Sequence, residues 1–329
     1  MKFLYVLFTL CAEALAASRT TAPSGCKTVS KTNGNYNTIQ AGVNAVVKLS
    51  GAQCLFIAPG KYNEKVTIPS TKAQITIYGS ASDTNTYKTN TVTITHGLSQ
   101  ANGLSNEQTA TLGIRAPNFK LYNVNVENTY GQGSQAVALA SFTDSGFYGC
   151  QFLGFQDTVL SNEGSQVFVD CLIEGATDFI FGQKAKSWFE RVHLRVLGKS
   201  LGYITGNGRD SDSNPAYYVF NGCDIAAADG EKVPNGAYYL GRPWREYARV
   251  IFQKTSMTSV VNSAGWSVWN PTDKRTGHVT FSEFGNTGPG ASGKRAFVTE
   301  LKSAITIDKV LGSGYGSKVW FDANYCHSG

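Results

Sequence analysis

The chain has 329 residues, a formal net charge of +6 and only 16% charged residues, set against 35 glycines and 12% aromatics. So little charge with so much Gly, Thr and Asn reads as a β protein with many turns, because helical proteins carry more Glu, Lys and Leu. No cluster of four or more basic residues occurs. That excludes a nucleic-acid-binding arm and leaves diffuse charge that is either ordinary surface charge or suited to a polyanionic partner.

At the N-terminus, residues 1–16 have the form of a secretory signal: Lys2, an apolar core from Phe3 to Cys11, then the small-residue site Ala14-Leu15-Ala16. The apolar run is too short to span a bilayer, and no other stretch approaches ~20 apolar residues. Export is therefore expected, with one domain over 17–329. Loss of the signal leaves Cys26, Cys54, Cys150, Cys171, Cys223 and Cys326. Six cysteines allow ~15 pairings, and all stay open. None has metal-ligand spacing, and no usable Asn-x-Ser/Thr sequon is found, since Asn270 precedes proline.

The next element is a helix expected over Ile39 to Leu49, with Val43, Val46 and Val47 at helical spacing and Asn37 or Thr38 as its cap. Further along the chain runs a weak repeat of apolar, two residues, small or Cys, one residue, apolar. It reads Leu121-Tyr-Asn-Val124-Asn-Val126, Phe147-Tyr-Gly-Cys150-Gln-Phe152, Phe168-Val-Asp-Cys171-Leu-Ile173 and Phe189-Glu-Arg-Val192-His-Leu194. Phe220-Asn-Gly-Cys223-Asp-Ile225 and Phe252-Gln-Lys-Thr255-Ser-Met257 continue it. Intervals from Phe147 onward are 21, 21, 31 and 32 residues. Short alternating strands at a period of ~20–25 residues cannot bury a face alone, but stacked as coils they share a continuous core. The expected fold is an all-β solenoid, a parallel β-helix, with the helix covering its N-terminal end. The longer intervals imply loops of ~10 residues that could wall a groove.

Asp157 and Asp178 each lie seven residues after the cysteine of their repeat, at 150 and 171. Equivalent positions on consecutive coils stack at ~4.7–4.9 Å, so two carboxylates are expected one coil apart. At ~5 Å and an effective dielectric of ~20, they repel by about 3 kcal/mol, or about two pKa units. One acid then stays protonated while the other ionises, as a general acid with a nucleophile or base requires. The competing reading is a hydrogen-bonded Asp ladder. The apolar neighbours, such as Phe155, Phe179 and Phe181, argue against it, since a buried unpaired carboxylate is costly. Gly198-Lys-Ser200-Leu-Gly202 matches a nucleophile elbow in form only, because strand-like residues rather than a helix come after Ser200. His96, His193, His278 and His327 are scattered without metal spacing, and no phosphate-cradling loop is present.

Five motifs occur in order: Gly60-Lys-Tyr62-Asn-Glu64, Gln135-Ala-Val-Ala-Leu139, Gly154-Phe-Gln156-Asp157-Thr158, Asp178-Phe-Ile-Phe-Gly182 and Leu240-Gly-Arg242-Pro-Trp244. With these motifs the chain, over roughly residues 30–325, resembles the pectin methylesterase family. Gly265-Trp266 and Gly288-Pro-Gly-Ala291 resemble C-terminal landmarks of the family. The resemblance implies a right-handed parallel β-helix that hydrolyses galacturonate methyl esters without a metal or cofactor. It implies Asp178 as nucleophile, Asp157 as general acid and then base, Gln135 and Gln156 as oxyanion donors, and Arg242 as the partner that orients Asp178. Trp244, Trp266 and Phe181 would line the sugar groove. The family often has Gln-Asp-Thr-Leu, whereas here Val159 precedes Leu160, an added residue expected to adjust the turn after the acid.

The resulting expectation is a secreted, monomeric esterase whose partner is pectin, not nucleic acid or membrane. Two rivals remain. A pectate lyase or polygalacturonase would need calcium-binding acids or acids placed for glycoside hydrolysis. A non-catalytic wall-binding solenoid would be indifferent to loss of Asp178.

Overall fold

The computed structural model describes residues 17–325, so the candidate signal and Cys326 lie outside the described residues. Each coil contributes one strand to each of three parallel sheets, and the stack forms the right-handed parallel β-helix expected from the repeat. The ten-stranded sheet runs from Lys27–Val29 to Thr280–Phe284, and the eight-stranded sheet from Gly60–Asn63 to Ser256–Met257. The seven-stranded sheet, from Val66–Ile68 to Tyr238–Pro243, carries the site.

The repeat read from sequence is the register of the stack. Leu121, Phe147, Phe168, Phe189, Phe220 and Phe252 pair successively across the ten-stranded sheet. Five turns of chain thus stack phenyl rings, with neighbouring centroids 4.6, 4.7, 4.3 and 4.3 Å apart. Each pair contributes about 0.5–1.5 kcal/mol beyond area burial. Five residues later in each copy, Val126, Phe152, Ile173, Leu194, Ile225 and Met257 form the matching ladder of the eight-stranded sheet.

Between these ladders the chain turns through one left-handed residue: Asn123, Gly149, Asp170, Arg191, Gly222, Lys254 and Gly285 all have φ between 49° and 63°. A single αL residue redirects the strand without inserting a loop, so the cysteine or small residue after it faces the core. Cys150 and Cys171 accordingly stack as buried free thiols, with the Cys150 amide donating to Cys171 Sγ at 3.4 Å. A disulfide joins Cys26 to Cys54, and Cys223 is free and buried.

The expected helix forms over Ile39–Val46, ending before Leu49. Thr38 caps it, accepting from the Ala41 amide at 3.1 Å, and Ile39, Val43 and Val46 close the N-terminal end of the core. Glu64, from the first motif, accepts from the Ile39 and Gln40 amides at 2.9 and 3.1 Å. A carboxylate at a helix N-terminus satisfies orphan amides and complements the helix dipole. A later segment was not legible in the repeat: Ile305, Val310, Leu311 and Trp320 pack over Tyr148, Val167, Val169 and Trp188 on the outer face of the ten-stranded sheet.

The long intervals become loops 197–201 and 208–216 on one coil, then 228–237 and 244–248 on the next. Val159 does not lengthen the turn. It pairs with Ile180 at the same 21-residue offset that separates Asp157 from Asp178, and its side chain is fully buried.

Candidate active site

Strands Val159–Glu163 and Thr177–Gly182 pair in parallel, and Gln156 bridges to Thr177 just ahead of them. The Asp157 amide donates to the Thr177 carbonyl at 3.1 Å, which sets Asp157 directly against Asp178 on the next coil. Both aspartates adopt the left-handed region, with φ of 65° and 45°. A non-glycine residue held there costs about 1–2 kcal/mol, less for Asp, whose short side chain bonds locally. Each aspartate is only 7% exposed.

Arg242 arrives from two coils away, on strand Tyr238–Pro243. The register aligns Phe181, Gly206 and Arg242 on successive coils, so Gly206 lies between the arginine and the acid. A Cβ at Gly206 would sit 3.1 Å from Asp178 Cβ. The absent side chain leaves the path along which Arg242 Nε and Nη2 donate to Asp178 Oδ1 and Oδ2 at 3.0 and 2.7 Å. Arg242 Nη1 donates to the Trp269 carbonyl at 3.1 Å, and the guanidinium is sandwiched between the Tyr203 and Trp269 rings, 4.1 and 4.3 Å from their centroids. A forked, stacked cation holds a carboxylate in one orientation as a lysine could not.

Burial pushes the Asp157 carboxyl well above the usual range, and the Asp178 charge pushes it further; the Asn106 amide and Arg242 pull back only partly. Burial also raises Asp178, but its two hydrogen bonds with Arg242, that cation's charge and Lys199 all oppose the rise. Both carboxyls are thus raised, Asp157 well above its ordinary value and Asp178 against the opposing pull of its arginine. A paired cation on one acid and none on the other decides the order of ionisation.

A cavity of ≈ 320 Å³ opens over the pair, lined by Gln135, Gln156, Phe181, Arg242 and Trp244, all expected from the motifs. Among the described residues, neither glutamine side chain is held in a hydrogen bond, so both amides are free to donate into the cavity. Phe181 and Trp244 meet edge to face at 6.0 Å on one wall. Trp266 is the correction. It bridges from Gly241, lies 1% exposed, and stacks on Phe281 at 4.3 Å inside the core. The groove tryptophan is instead Trp269, three residues on, where the chain has left the sheet and folds back over Arg242.

Asn106 was also missed. Its amide donates to Asp157 Oδ2 at 3.3 Å, while its own oxygen accepts from Gln100 at 2.8 Å. Ser105-Asn-Glu-Gln108 carries a capping-box signature, which marks the four-residue helix but not the direction of Asn106. Ser200 is solvent-exposed and outside the cavity, and no group of three or more His, Cys, Asp or Glu among the described residues is placed to hold a metal ion.

Fold and site together define a parallel β-helix with a stacked pair of buried carboxylates, one forked by an arginine, beside two glutamine amides in an aromatic-walled groove, an arrangement suited to a hydrolase. Comparison with known proteins narrows this. A family profile described as Pectinesterase matches residues 27–309. A pectinesterase of Aspergillus niger is 49% identical over 325 residues, covering 97% of this chain and 97% of that protein. Among solved structures, the deglycosylated pectin methylesterase of A. niger aligns with a TM-score of 0.88 at 40% identity, covering 94% of this chain and 100% of that one. Pectin methylesterase from carrot aligns at 0.81 and 26% identity, covering 93% and 98%. The chain belongs to the pectinesterase family, and it is a carboxylic ester hydrolase acting on the methyl esters of pectin.

Proposed function

We propose that this chain is a secreted, monomeric, single-domain esterase in which Asp178 attacks the galacturonate methyl ester and Asp157 handles the protons. The observation that carries the division of labour is the forked contact of Arg242 to Asp178 alone, at 3.0 and 2.7 Å. The ionised Asp178 oxygen adds to the ester carbonyl carbon, and the carbonyl electrons move onto oxygen. Gln135 and Gln156 donate to that oxyanion, where preorganised donors stabilise the charge that develops in the transition state. As the tetrahedral centre collapses, protonated Asp157 gives its proton to the departing methoxide, and methanol leaves. The acyl group now forms an anhydride with Asp178. Asp157, now a carboxylate, takes a proton from water, which attacks the galacturonyl carbon and restores ionised Asp178. The product acid loses its proton to solvent. Phe181, Trp244 and Trp269 present ring faces and edges to the sugars. The cofactor-free scheme follows from these residues alone, and export follows from the signal-like segment at 1–16.

The test is to incubate the protein with methylated pectin. Methanol and titratable acid should appear in equal amounts with viscosity held and no unsaturated ends formed. Chain scission without methanol would overturn the reading in favour of a lyase or galacturonase.

A further inference from the structure

Residues 268–279 run outside the sheets, between the Gly241–Trp266 bridge and strand Thr280–Phe284, yet they supply Trp269 to the cavity wall. The Trp269 amide donates to the Lys274 carbonyl at 3.1 Å, and Asn270 Oδ1 accepts from the Thr272 and Asp273 amides at 3.0 and 2.7 Å. These bonds close a tight turn without fixing it to the groove. Arg275 makes that connection. It sits at φ 52°, a conformation uncommon outside Gly, Asn and Asp, and its side chain reaches back across the turn. Nη1 donates to the Trp244 carbonyl, Nε donates to Asp273 Oδ2 at 2.8 Å, and the guanidinium lies 4.9 Å from the centre of the Trp269 ring. The Arg242 guanidinium stands 4.3 Å from the same ring. Each cation has its own carboxylate, Asp178 for Arg242 and Asp273 for Arg275, so the two can share one indole. Among the described residues no hydrogen bond holds that indole, and contact with the cations sets its place. One side chain thus joins two groove tryptophans from consecutive coils, although Arg275 does not itself line the cavity.

We propose that Arg275 is a positioning residue that fixes the Trp269 indole before substrate arrives, so that Trp244 and Trp269 form one preset groove; the assignment rests on the reading of both rings as sugar-binding. A ring on an untethered loop has to be ordered as the sugar binds, which weakens affinity. Arg275 does that ordering in the free protein. Asp273 acts one step further out, since its ion pair aims the guanidinium. The fork from Arg242 to Asp178 needs neither residue, and Tyr203 stays stacked on Arg242 without them. Loss of Arg275 therefore bears on binding rather than on the chemical step.

The probes are an unesterified galacturonate hexamer for binding and a fully methylated one for kinetics. Arg275→Met should weaken binding and raise KM about fivefold, the scale of one side chain ordered on association, with kcat held within about twofold. The loss should be equal on the anionic and the neutral hexamer, whereas an arginine that touched uronate carboxylates would matter only for the anionic one. Arg275→Lys keeps a donor for the Trp244 carbonyl and should recover part of the loss. Asp273→Asn should weaken binding about twofold. An effect through charge alone has the opposite sign, because removing an anion favours a polyanion. In a Trp269→Ala background, Arg275→Met should weaken binding no further. Unchanged binding in Arg275→Met, where Trp269→Ala weakens it, overturns the proposal, and so does an undiminished loss in the Trp269→Ala background. Should Arg275→Met not fold, Asp273→Asn carries the test, and tighter binding of the anionic hexamer there overturns the proposal. Full affinity in Trp269→Ala alone would contradict the sugar-binding reading of that ring and the proposal with it.

Discussion

Two sets of left-handed residues occupy this helix and do different work. The corner between the ten- and eight-stranded sheets uses one on each of seven coils, filled by Asn123, Gly149, Asp170, Arg191, Gly222, Lys254 and Gly285. The corner leading into the seven-stranded sheet uses one at Asp157 and Asp178. At the first corner the side chain varies widely, so the backbone turn itself is what each coil requires. At the second the residue is the same acid twice, buried, stacked and facing a cavity. The same torsion is architecture where it repeats with any residue, and chemistry where it repeats with one. Strain held at a functional position, in a residue that a Gly would relieve, is the pattern expected of a preorganised site.

Breaking the second corner should be costly to activity and cheap to fold. Asp178→Asn keeps a residue tolerant of φ near 45° but removes the nucleophile, and methanol release should fall by about 10⁴-fold or more. Asp157→Asn should cost about 10²–10⁴-fold as the proton donor is lost. Its effect on stability has the opposite sign. A buried carboxyl with a raised folded pKa binds its proton more tightly when folded, so stability is full at acid pH and declines as pH rises through the window above the ordinary carboxylate value. Asp157→Asn should therefore melt a few degrees higher than wild type at pH 7, with the gap closing on acidification.

Arg242→Gln removes the fork and leaves Asp178 buried without a counter-charge. A change of this kind costs about 3–5 kcal/mol of folding stability, and kcat should fall about 10²–10³-fold because the attacking carboxylate is no longer held in one orientation. The acid limb of the pH–rate profile should move upward, because Asp178 loses what holds it ionised. Gly206→Ala sharpens the comparison from between the two coils. Its methyl would press on Asp178 Cβ at 3.1 Å and spoil the arginine's approach, lowering kcat by about tenfold with little change in KM. Smallest of all, Lys254→Gly at the structural corner should leave methanol release unchanged. Relief of φ 50° there offsets the added freedom of the unfolded chain, for a stability change within about 1 kcal/mol by denaturant titration.

Much of the fold and the acid pair was legible in the sequence for a specific reason. In a solenoid, spacing in sequence becomes register in space, so two 21-residue intervals sufficed to stack Phe147 on Phe168 and Asp157 on Asp178. The roles of the acids were not in that spacing, because Arg242 comes from two coils away through a gap left by Gly206, a contact no periodicity encodes. Trp266 was misplaced for the same cause. The Gly241 bridge continues the ladder and turns its indole inward, while Trp269 lies in a loop with no register to read. Asn106 sits on a short capped helix outside the repeat, where sequence marks the turn but not the aim of the side chain. The terminal segment over the ten-stranded sheet likewise belongs to no coil.

The central claim is that Asp157 is protonated while Asp178 is ionised in the resting enzyme. Isotope-edited infrared spectroscopy of protein carrying ¹³C-labelled aspartate reads this directly near pH 6. Wild type should show the carbonyl band of one buried protonated carboxyl, lost in Asp157→Asn and retained in Asp178→Asn. A band that disappears in Asp178→Asn and survives in Asp157→Asn would contradict the account.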